Sequence, residues 1–430
     1  MREMKDSGIE WVGKIPIGWN VYRNKNCFSC SKEIIGVKSL TTQLLSLTTY
    51  GVKKKSSNET SGKVPESYET YQVVRKNDII MCLFDLDCSA VFSGISLYEG
   101  MISPAYKILK CNRGIVPKYI DYWFRYIFDG RKFKHYAKNL RFTLNYDEFA
   151  ILPVVLPFEN EQIRIANYLD YQCGELDNIL AKTRASIEEY KKLKQAVITQ
   201  AVTKGVRSGR VMRDTEIEWI GEIPVEWRVK KLRYLGGCQN GISKSSDCFG
   251  EGYPFVSYGD VYRNYQLPET VTGLIMSTDS DRENYSVIRG DVLFTRTSET
   301  IEEVGFSSAC LKTIENATFA GFVIRFRPNS NELLPEYSKY YFRSDIHRRF
   351  FVKEMNLVTR ASLGQELLKK LPVILPPLEE QVEIADYLEK KCGEIDSIIA
   401  KKEQYIIELE SYKKSFVYEY VTGKKEVPEI

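Results

Sequence analysis

PVVLPFENEQIRIANYLDYQCGELDNILAK, residues 153–182, occurs twice in the chain in slightly altered form. The second copy, PVILPPLEEQVEIADYLEKKCGEIDSIIAK, occupies residues 372–401, and 17 of the 30 aligned positions are identical. A shorter phrase is also doubled, since IEWVGKIPIGW at 9–19 returns as IEWIGEIPVEW at 217–227. The two offsets are 219 and 208 residues. Two duplicated segments at such similar offsets indicate two related half-proteins in one chain.

Each copy of the longer repeat is predicted to begin a long helix. Pro157 and Pro377 precede acidic residues, which suit a helix N-terminus. No proline follows between 158 and 223 or between 378 and 427, and a proline inside a helix costs about 3 kcal/mol. Gly205 and Gly423 suit the helix ends. The pattern therefore predicts two helices of roughly 40 residues, or about 60 Å each.

Both helices carry apolar residues at alternating spacings of four and three, which is typical of a coiled-coil seam. Lys194 and Lys413 occupy the same seam position in the two copies, and polar seam residues often set the register. The alternative is that each helix packs separately on its own domain. The apolar residues predicted to form the seam are Leu176, Leu180, Ile187, Tyr190, Val197, Ile395, Ile399, Ile406, Leu409 and Phe416.

The segments between the repeats, about 25–150 and 230–370, hardly resemble each other. Runs rich in β-branched and aromatic residues at 44–52, 71–84, 253–261 and 285–297 predict strands and tight turns, and the residues at 118–128 and 336–350 predict helices. The predicted fold is α+β: two mixed α/β domains separated by two long antiparallel coiled-coil helices, with a pseudo-two-fold internal repeat. The predicted boundaries are 1–157 for the first domain, 158–204 for the first long helix, 205–375 for the second domain and 376–424 for the second helix.

Such a duplication has a geometric consequence. Two similar units tend to lie about a pseudo-two-fold axis, which would hold two unlike domains at a fixed separation. A helix of about 60 Å corresponds to at most roughly 18 base pairs of duplex DNA. The sequence thus favours a reader of a two-part, asymmetric DNA site with an unread spacer.

Composition sets broad limits on this prediction. The chain has 430 residues, a net charge of +4 and 43% hydrophobic residues, so we expect two to four domains with ordinary cores. We expect a cytoplasmic protein, because no secretory signal or apolar run of about 20 residues is visible. The ten cysteines lack the spacing of a disulfide framework, which fits a reducing compartment.

The sequence does not supply the usual signatures of catalysis or metal binding. It contains neither an N/D-P-P-[YF] methyltransferase motif nor a G-x-x-x-x-G-K-[ST] phosphate loop. His135 and His347 are the two histidines, and we interpret both as surface or packing residues. Cys27 and Cys30 form a C-x-x-C without a second ligand pair. We therefore predict no metal site, no cofactor and no catalytic residue in this chain.

Candidate contact residues fall into two groups. Basic and small polar residues in loops suit contacts with phosphates and base edges; for each of them, a solvated surface charge is the alternative. The predicted DNA-binding residues are Lys53, Lys54, Lys55, Asn58, Arg141, Lys244, Arg296 and Arg360. The doubled residues predicted to lie at an assembly junction are Trp11, Trp19, Trp219, Trp227, Gln162 and Gln381; core packing and helix capping are the alternatives there.

The pattern LP-x-x-LP-x-x-x-EQ-x-x-IA-x-YL at 152–169 and 371–388 resembles the specificity subunit of type I restriction–modification systems. The tryptophan phrases, GDVLFTRTS at 290–298 and RASL at 360–363 are similar to that family as well. The first half departs from it, with KNDIIMCLFD at 76–85 and RFTL at 141–144. The resemblance covers nearly the whole chain.

The resemblance implies a division of labour. Each of two target recognition domains would read one half of a split DNA sequence, and the repeated regions would bind two DNA adenine methyltransferase subunits. Motor-nuclease subunits would join for restriction. S-adenosylmethionine, ATP and Mg would then lie on those partners. We predict a non-catalytic recognition and scaffold subunit; the alternatives are a self-contained DNA methyltransferase or nuclease, or a coiled-coil tether without DNA specificity.

Overall fold

The computed structural model describes residues 2–55, 67–137, 141–298, 304–354 and 361–428. The chain forms two compact units, of which the first comprises Met1–Arg184 with Gln404–Ile430 and the second comprises Ala185–Glu403. Both boundaries fall inside long helices, so each unit contains the beginning of one long helix and the end of the other.

The first unit is a mixed structure of short strands and helices. Its strands β1 to β12 are Met4–Asp6, Lys14–Pro16, Asn20–Arg23, Phe28–Ser31, Leu45–Thr48, Gly51–Lys54, Gln72–Val74, Ile79–Met81, Ser93–Ile95, Gly100–Ile102, Lys107–Cys111 and Pro153–Leu156. Its helices α1 to α4 are Asn24–Cys27, Pro117–Asp129, Tyr146–Ala150 and Glu159–Lys204, the last continuing into the second unit. Short 3₁₀ turns lie at Gly36–Leu40 and Lys132–His135.

An antiparallel four-stranded sheet in the order β4-β11-β8-β9 organises this unit. Helix α2 begins with Pro117, whose fixed φ and missing N–H suit the first helical turn. Its aromatic residues Tyr119, Trp123 and Phe124 are buried in the core of the unit. Smaller antiparallel pairs are β1-β2, β3-β12, β5-β6 and β7-β10.

The second unit contains the remaining elements. Its strands β13 to β25 are Met212–Asp214, Glu222–Pro224, Arg228–Lys231, Gly236–Asn240, Phe249–Val256, Leu274–Ile275, Val292–Thr295, Thr297–Ser298, Ser307–Ala309, Thr318–Phe319, Val323–Pro328, Ala361–Ser362 and Pro372–Leu375. Its helices α5 to α10 are Tyr258–Arg263, Asp279–Asn284, Pro335–Tyr341, Asp345–Glu354, Gln365–Leu368 and Leu378–Val421, the last continuing into the first unit. Two 3₁₀ turns lie at Leu232–Tyr234 and Ser246–Cys248.

The two units share one framework despite their unlike sequences. The second unit has an antiparallel sheet in the order β16-β23-β19-β21, which repeats the chain order of β4-β11-β8-β9. The hairpin β13-β14 repeats β1-β2, and the pair β15-β25 repeats β3-β12. A further sheet, β18-β17-β22, has no counterpart of the same order among the described residues of the first unit. The prediction of two mixed domains with an internal repeat is thus confirmed.

Two local predictions were wrong. The strand predicted at 253–261 ends at Val256, because Ser257 and Asp260 form a capping box that begins helix α5. The helix predicted at 336–350 is divided into α7 and α8. At the division, the guanidinium of Arg343 donates hydrogen bonds to the carbonyls of Val261, Tyr262 and Asn264, which fixes the chain between the two helices.

The long helices α4 and α10 contain 46 and 44 residues. Within the first unit, Asp177 contacts Lys413 and Arg184 contacts Glu410, so the two helices run antiparallel there. Within the second unit, Tyr190 lies under Lys402 and Lys194 contacts Asp396, which again gives an antiparallel pair. No helix in the described part of the chain combines the length and apolar character that a membrane span requires.

Candidate nucleic-acid interface and helix junctions

The first tryptophan phrase forms a junction with the long helices. Strands β1 and β2 form a hairpin, and the buried Trp19 follows it. Its indole Nε1 donates a hydrogen bond to Oε2 of Glu161, in the first turn of α4, at 3.0 Å. Gly423, just after α10, has φ of +69°, and a Cβ there would lie 2.4 Å from Pro16 and 3.0 Å from Trp19. The phrase therefore packs against the start of one long helix and the end of the other.

The second phrase forms the same junction in the second unit. Trp227 is buried, and its Nε1 donates to Oε2 of Glu380, in the first turn of α10, at 2.9 Å. Gly205, just after α4, has φ of +76° and lies close to Trp227 and Glu380. These matching contacts show that the doubled tryptophans act within their own units.

An arginine completes each junction and was missed by the sequence analysis. Arg2 lies 2.5 Å from Glu161, and Arg210 forms a bidentate pair with Glu380, one bond of which measures 3.0 Å. The signal was present, because Arg2, Met4 and Asp6 return as Arg210, Met212 and Asp214 at the offset of the tryptophan phrase. The duplicated phrase thus begins at Arg2, seven residues before Ile9.

The doubled glutamines are buried and bonded to the main chain of their own units. Oε1 of Gln162 accepts from the N–H of Val116 at 2.9 Å, and Nε2 donates to the carbonyls of Gly114 and Pro157 at 3.1 and 2.9 Å. Gln381 makes the same set of bonds to Leu334, Glu332 and Pro376. The two side-chain amides therefore fasten the starts of the long helices α4 and α10 to the loops before α2 and α7.

Trp11 and Trp219 are half-buried and pack on aromatic residues of their units. The ring of Trp11 lies 6.0 Å from that of Trp123 and 5.9 Å from that of Tyr126. The ring of Trp219 lies 5.8 Å from that of Phe350 and is covered by the ammonium group of Lys353. Both side chains therefore contribute to the packing of their own units.

The residues predicted to form the seam are all buried or half-buried. Leu180, Ile187, Ile395 and Phe416 are the buried ones. The six others are half-buried: Leu176, Tyr190, Val197, Ile399, Ile406 and Leu409. An apolar stripe covered along both helices is what a coiled-coil seam requires.

The seam lysines are paired across the helices. Lys413 lies 2.6 Å from Asp177 in the first unit, and Lys194 lies 2.7 Å from Asp396 in the second. The aspartates are themselves equivalent, since both occupy the same position in the repeat. The pairing fixes the register in the same way in each unit.

The predicted DNA-binding lysines of the first unit lie at the hairpin β5-β6. The ammonium groups of Lys53 and Lys54 lie over the rings of Tyr50 and Tyr98, at 4.8 and 5.0 Å from the centroids. Both lysines are exposed, whereas Lys55 is half-buried and its N–H bonds to the carbonyl of Leu44. Exposed lysines beside aromatic rings suit a phosphate backbone and its bases. Asn58 and Arg360 lie outside the described residues.

Lys244 is placed differently from the surface cation that the sequence suggested. Its ammonium group lies 2.7 Å from Asp281, and both side chains are about four-fifths covered, with relative exposures of 22%. The hydrogen bond from Lys244 and the N–H groups of the α6 cap lower the pKa of Asp281 to about 2. Lys244, which follows β16 in the chain, is therefore paired with a carboxylate of α6.

Arg141 and Arg296 lie on different, non-equivalent stretches of their units. Arg141 is highly exposed, and its guanidinium lies 3.7 Å from Asp85. Arg296 is half-buried, and its carbonyl accepts a hydrogen bond from the N–H of Leu363 at 2.7 Å. The GDVLFTRTS and RASL stretches of the second unit are thus brought together.

Within the described residues, no group of three or more His, Cys, Asp or Glu side chains is arranged to hold a metal ion. His347 is fully buried, and Cys27 is buried whereas Cys30 is exposed. Burial raises the pKa of the Cys27 thiol to about 11, which keeps it protonated and unreactive. Cys173 and Cys392, equivalent in the repeat, are both buried in the cores.

Comparison with known proteins finds similarity to specificity subunits of type I restriction–modification systems. The model of the type I restriction modification DNA specificity domain matches residues 224–410. The MjaX putative specificity subunit of Methanocaldococcus jannaschii is 26% identical over 77% of this chain and 74% of its own length. The EcoKI specificity subunit of Escherichia coli is 28% identical over 58% of this chain and 53% of its own length. Residues 224–410 thus match the DNA specificity domain of this family, and the chain is similar to named type I specificity subunits.

A solved structure supports the fold of this family. A chain from a study of complex assembly and conformational transition of the type I R-M system superposes with a TM-score of 0.70. The match covers 96% of this chain and 99% of the other, at 15% sequence identity, so it concerns the fold alone. The match to a DNA specificity domain associates the second unit with DNA sequence recognition.

Proposed function

We propose that the chain reads a two-part, asymmetric DNA sequence, with one unit for each half-site and an unread spacer between them. The observation that carries this proposal is the shared framework with unlike insertions. The same sheet order, hairpin and junction occur in both units, whereas the segments between the repeats differ in sequence and in the elements they add. Two equivalent frames that carry unlike loops suit two different half-sites.

We assign the target recognition domains to residues 1–157 and 205–375, and the helical regions to 158–204 and 376–424. The division follows the helix junctions, where Trp19 and Trp227 donate hydrogen bonds to Glu161 and Glu380 in the first turns of the long helices. The candidate DNA contacts are the exposed cations Lys53, Lys54 and Arg141, and the half-buried Arg296. The residues that recur in both units are assigned to architecture and assembly.

The partners in this proposal are two copies of a DNA adenine methyltransferase subunit, joined by motor-nuclease subunits for restriction. Support comes from exposed apolar side chains that recur at equivalent positions of the long helices. Exposed apolar residues attract a partner surface because their burial is favourable. The three equivalent pairs are Ile163 with Val382, Ile179 with Ile398, and Leu193 with Tyr412. S-adenosylmethionine, ATP and Mg would be bound by those partners.

Adenine methylation mapping tests the proposal directly. The full chain is co-expressed with its methyltransferase subunit in a host without adenine methylation, and the methylated motif is read from the genome. We expect a split motif with two defined parts and an unread spacer. Replacing residues 24–150 with the corresponding segment of another specificity subunit should change one part and leave the other unchanged.

Three results would contradict the proposal. A single unsplit motif would exclude the model of one half-site for each unit. Methyl transfer from labelled S-adenosylmethionine by the purified chain alone would show that the chain is an enzyme. Absence of sequence-selective DNA protection by the assembled complex would instead favour a tether without DNA specificity.

A further inference from the structure

Two separate stretches of the first unit meet at a short backbone crossing. We define it as residues 83–85 together with 141–144. The N–H of Leu144 donates to the carbonyl of Leu83 at 2.8 Å, and the N–H of Asp85 donates to Oγ1 of Thr143 at 3.1 Å. The end of KNDIIMCLFD and the RFTL stretch are thereby held side by side.

The second unit has the same crossing with other side chains. The N–H of Leu363 donates to the carbonyl of Arg296 at 2.7 Å, and β20 pairs with β24 so that Ser298 lies opposite Ala361. Leu83 therefore corresponds to Arg296, and Asp85 corresponds to Ser298. A shared backbone arrangement with different side chains is expected where two frames select different DNA sequences.

The crossing of the first unit also stores backbone strain. Asp85 has φ of +48° and Phe142 has φ of +49°, the left-handed region that side chains other than glycine rarely adopt. An aspartate tolerates this region, but a phenylalanine is disfavoured there. Such conformations cost about 1–3 kcal/mol and cluster at ligand-binding positions. The strained backbone gives the side chains at positions 85 and 142 directions that a relaxed loop would not give.

The basic residues near the crossing contact two neighbouring carboxylates, Asp85 and Asp87, to different extents. The described residues 130–137 and 141–142 contain four Lys or Arg and no Asp or Glu, which suits a phosphate backbone. Asp87 is held by Arg131 at 2.8 Å and by Lys134 at 3.2 Å. Asp85 is half-exposed and lies 3.7 Å from Arg141, which is longer than a hydrogen bond. Asp85 thus keeps acceptor capacity that Asp87 has already used.

We propose that Asp85 is a specificity-determining residue of the first unit. Its carboxylate accepts a hydrogen bond from the N4 amino group of a cytosine in the first half-site, and Arg141 moves from Asp85 to a neighbouring phosphate. A carboxylate beside DNA is repelled by phosphates, so its favourable partner is a base amino group, and cytosine N4 is the donor that aspartate recognises. The inference rests on the proposed function and specifies one base contact within it.

The test compares Asp85→Asn with Asp87→Asn in the full chain, each co-expressed with the methyltransferase subunit. Both variants remove one negative charge, and asparagine tolerates the left-handed backbone at position 85. Asparagine amides pair with adenine rather than cytosine. Methylation mapping should therefore show D85N relaxed or shifted toward adenine at one position of the first half-site, with discrimination reduced about 10-fold. D87N should keep the wild-type motif.

The second half-site reports folding in the same experiment. If D85N methylates the wild-type motif in both half-sites, the inference is overturned and the proposed function remains intact. If D85N methylates nothing, binding of the purified complex to duplexes substituted at each first half-site position decides the matter. If the D85N complex in that assay prefers cytosine as strongly as the wild type does at every first half-site position, the inference is also overturned. An unsplit wild-type motif would instead contradict the proposed function itself.

Discussion

The ammonium group of Lys413 lies 2.6 Å from the carboxylate of Asp177, across the two long helices of the first unit. Lys194 and Asp396 repeat this relationship in the second unit at 2.7 Å. Both lysines are largely covered by the seam, whereas both aspartates are more than half exposed. The doubled pair acts chiefly through register, because ion pairs with one exposed partner contribute little to stability.

Reversing one of these charges tests that role. Lys413→Glu places two carboxylates together and should lower the free energy of unfolding by about 1 kcal/mol. Adding Asp177→Lys restores an attractive pair, so the double variant should recover most of the loss. Urea unfolding of the full chain measures both effects. Lys192→Glu is the control, since Lys192 pairs with Glu189 on its own helix, and a loss as large as that of K413E would contradict the prediction.

The two junction carboxylates should differ in their contribution to stability. Glu380 is almost completely buried with Arg210 and the Trp227 indole, whereas Glu161 is partly open beside Arg2 and Trp19. Removing one charge of a buried pair leaves the other uncompensated and costs roughly 3 kcal/mol.

Glu380→Gln should therefore destabilise the second unit by roughly 3 kcal/mol, and Glu161→Gln should destabilise the first by about 1 kcal/mol. Guanidinium unfolding followed by tryptophan fluorescence suits this measurement, because four of the five tryptophans lie in the two phrases. Equal losses for the two variants would show that burial of the carboxylate does not control the cost.

His347 provides a test at mildly acidic pH. It is buried against the Tyr341 ring, and Nδ1 lies 3.2 Å from Oγ of Ser344. Burial and the nearby Arg348 lower the pKa of His347 to about 3, whereas an unfolded histidine has a pKa of about 6.5. Between these values the unfolded chain binds the proton and the folded chain does not, so stability is complete above about pH 6.5 and falls toward pH 3.

His347→Phe keeps an aromatic ring and removes the titrating group. Relative to the wild type, its free energy of unfolding should therefore rise as the pH is lowered from 7 to 4. His135, the other histidine, is exposed. Parallel profiles for H347F and the wild type, measured by denaturant unfolding at each pH, would contradict this explanation.

The repeated features could be predicted from the sequence because they depend on local patterns that occur twice. The proline-free stretches and the heptad spacing predict the long helices, and duplication strengthens each signal. The capping box at Ser257 and Asp260 was also legible, since S-x-x-D before an apolar residue is a helix-start signal. That signal was overlooked among strand-forming residues.

Other features depend on contacts distant in sequence. The Arg2–Glu161 pair joins residues 159 positions apart, and Lys244 meets Asp281 through the fold of its unit. Arg343 divides two helices by binding carbonyls about 80 residues earlier. Local periodicity does not encode such partners. The correspondence of Leu83 with Arg296 is likewise invisible in the sequence. Their side chains differ, and the two residues are equivalent only because their carbonyls accept matching backbone hydrogen bonds.

The exposed apolar residues of the long helices provide the last prediction. Ile179 and Ile398 occupy the same position in the repeat, and both are more than one-third exposed. If this surface binds a methyltransferase subunit, a buried glutamate would be costly there. Ile179→Glu combined with Ile398→Glu should reduce methyltransferase co-purification at least about 10-fold, while the unfolding midpoint of the chain changes little. Asn178→Glu with Ser397→Glu adds the same charges one residue earlier, at exposed polar positions, and should leave co-purification near the wild-type level. Undiminished co-purification of the methyltransferase subunit with the Ile179→Glu, Ile398→Glu variant would show that these residues are not part of the partner surface.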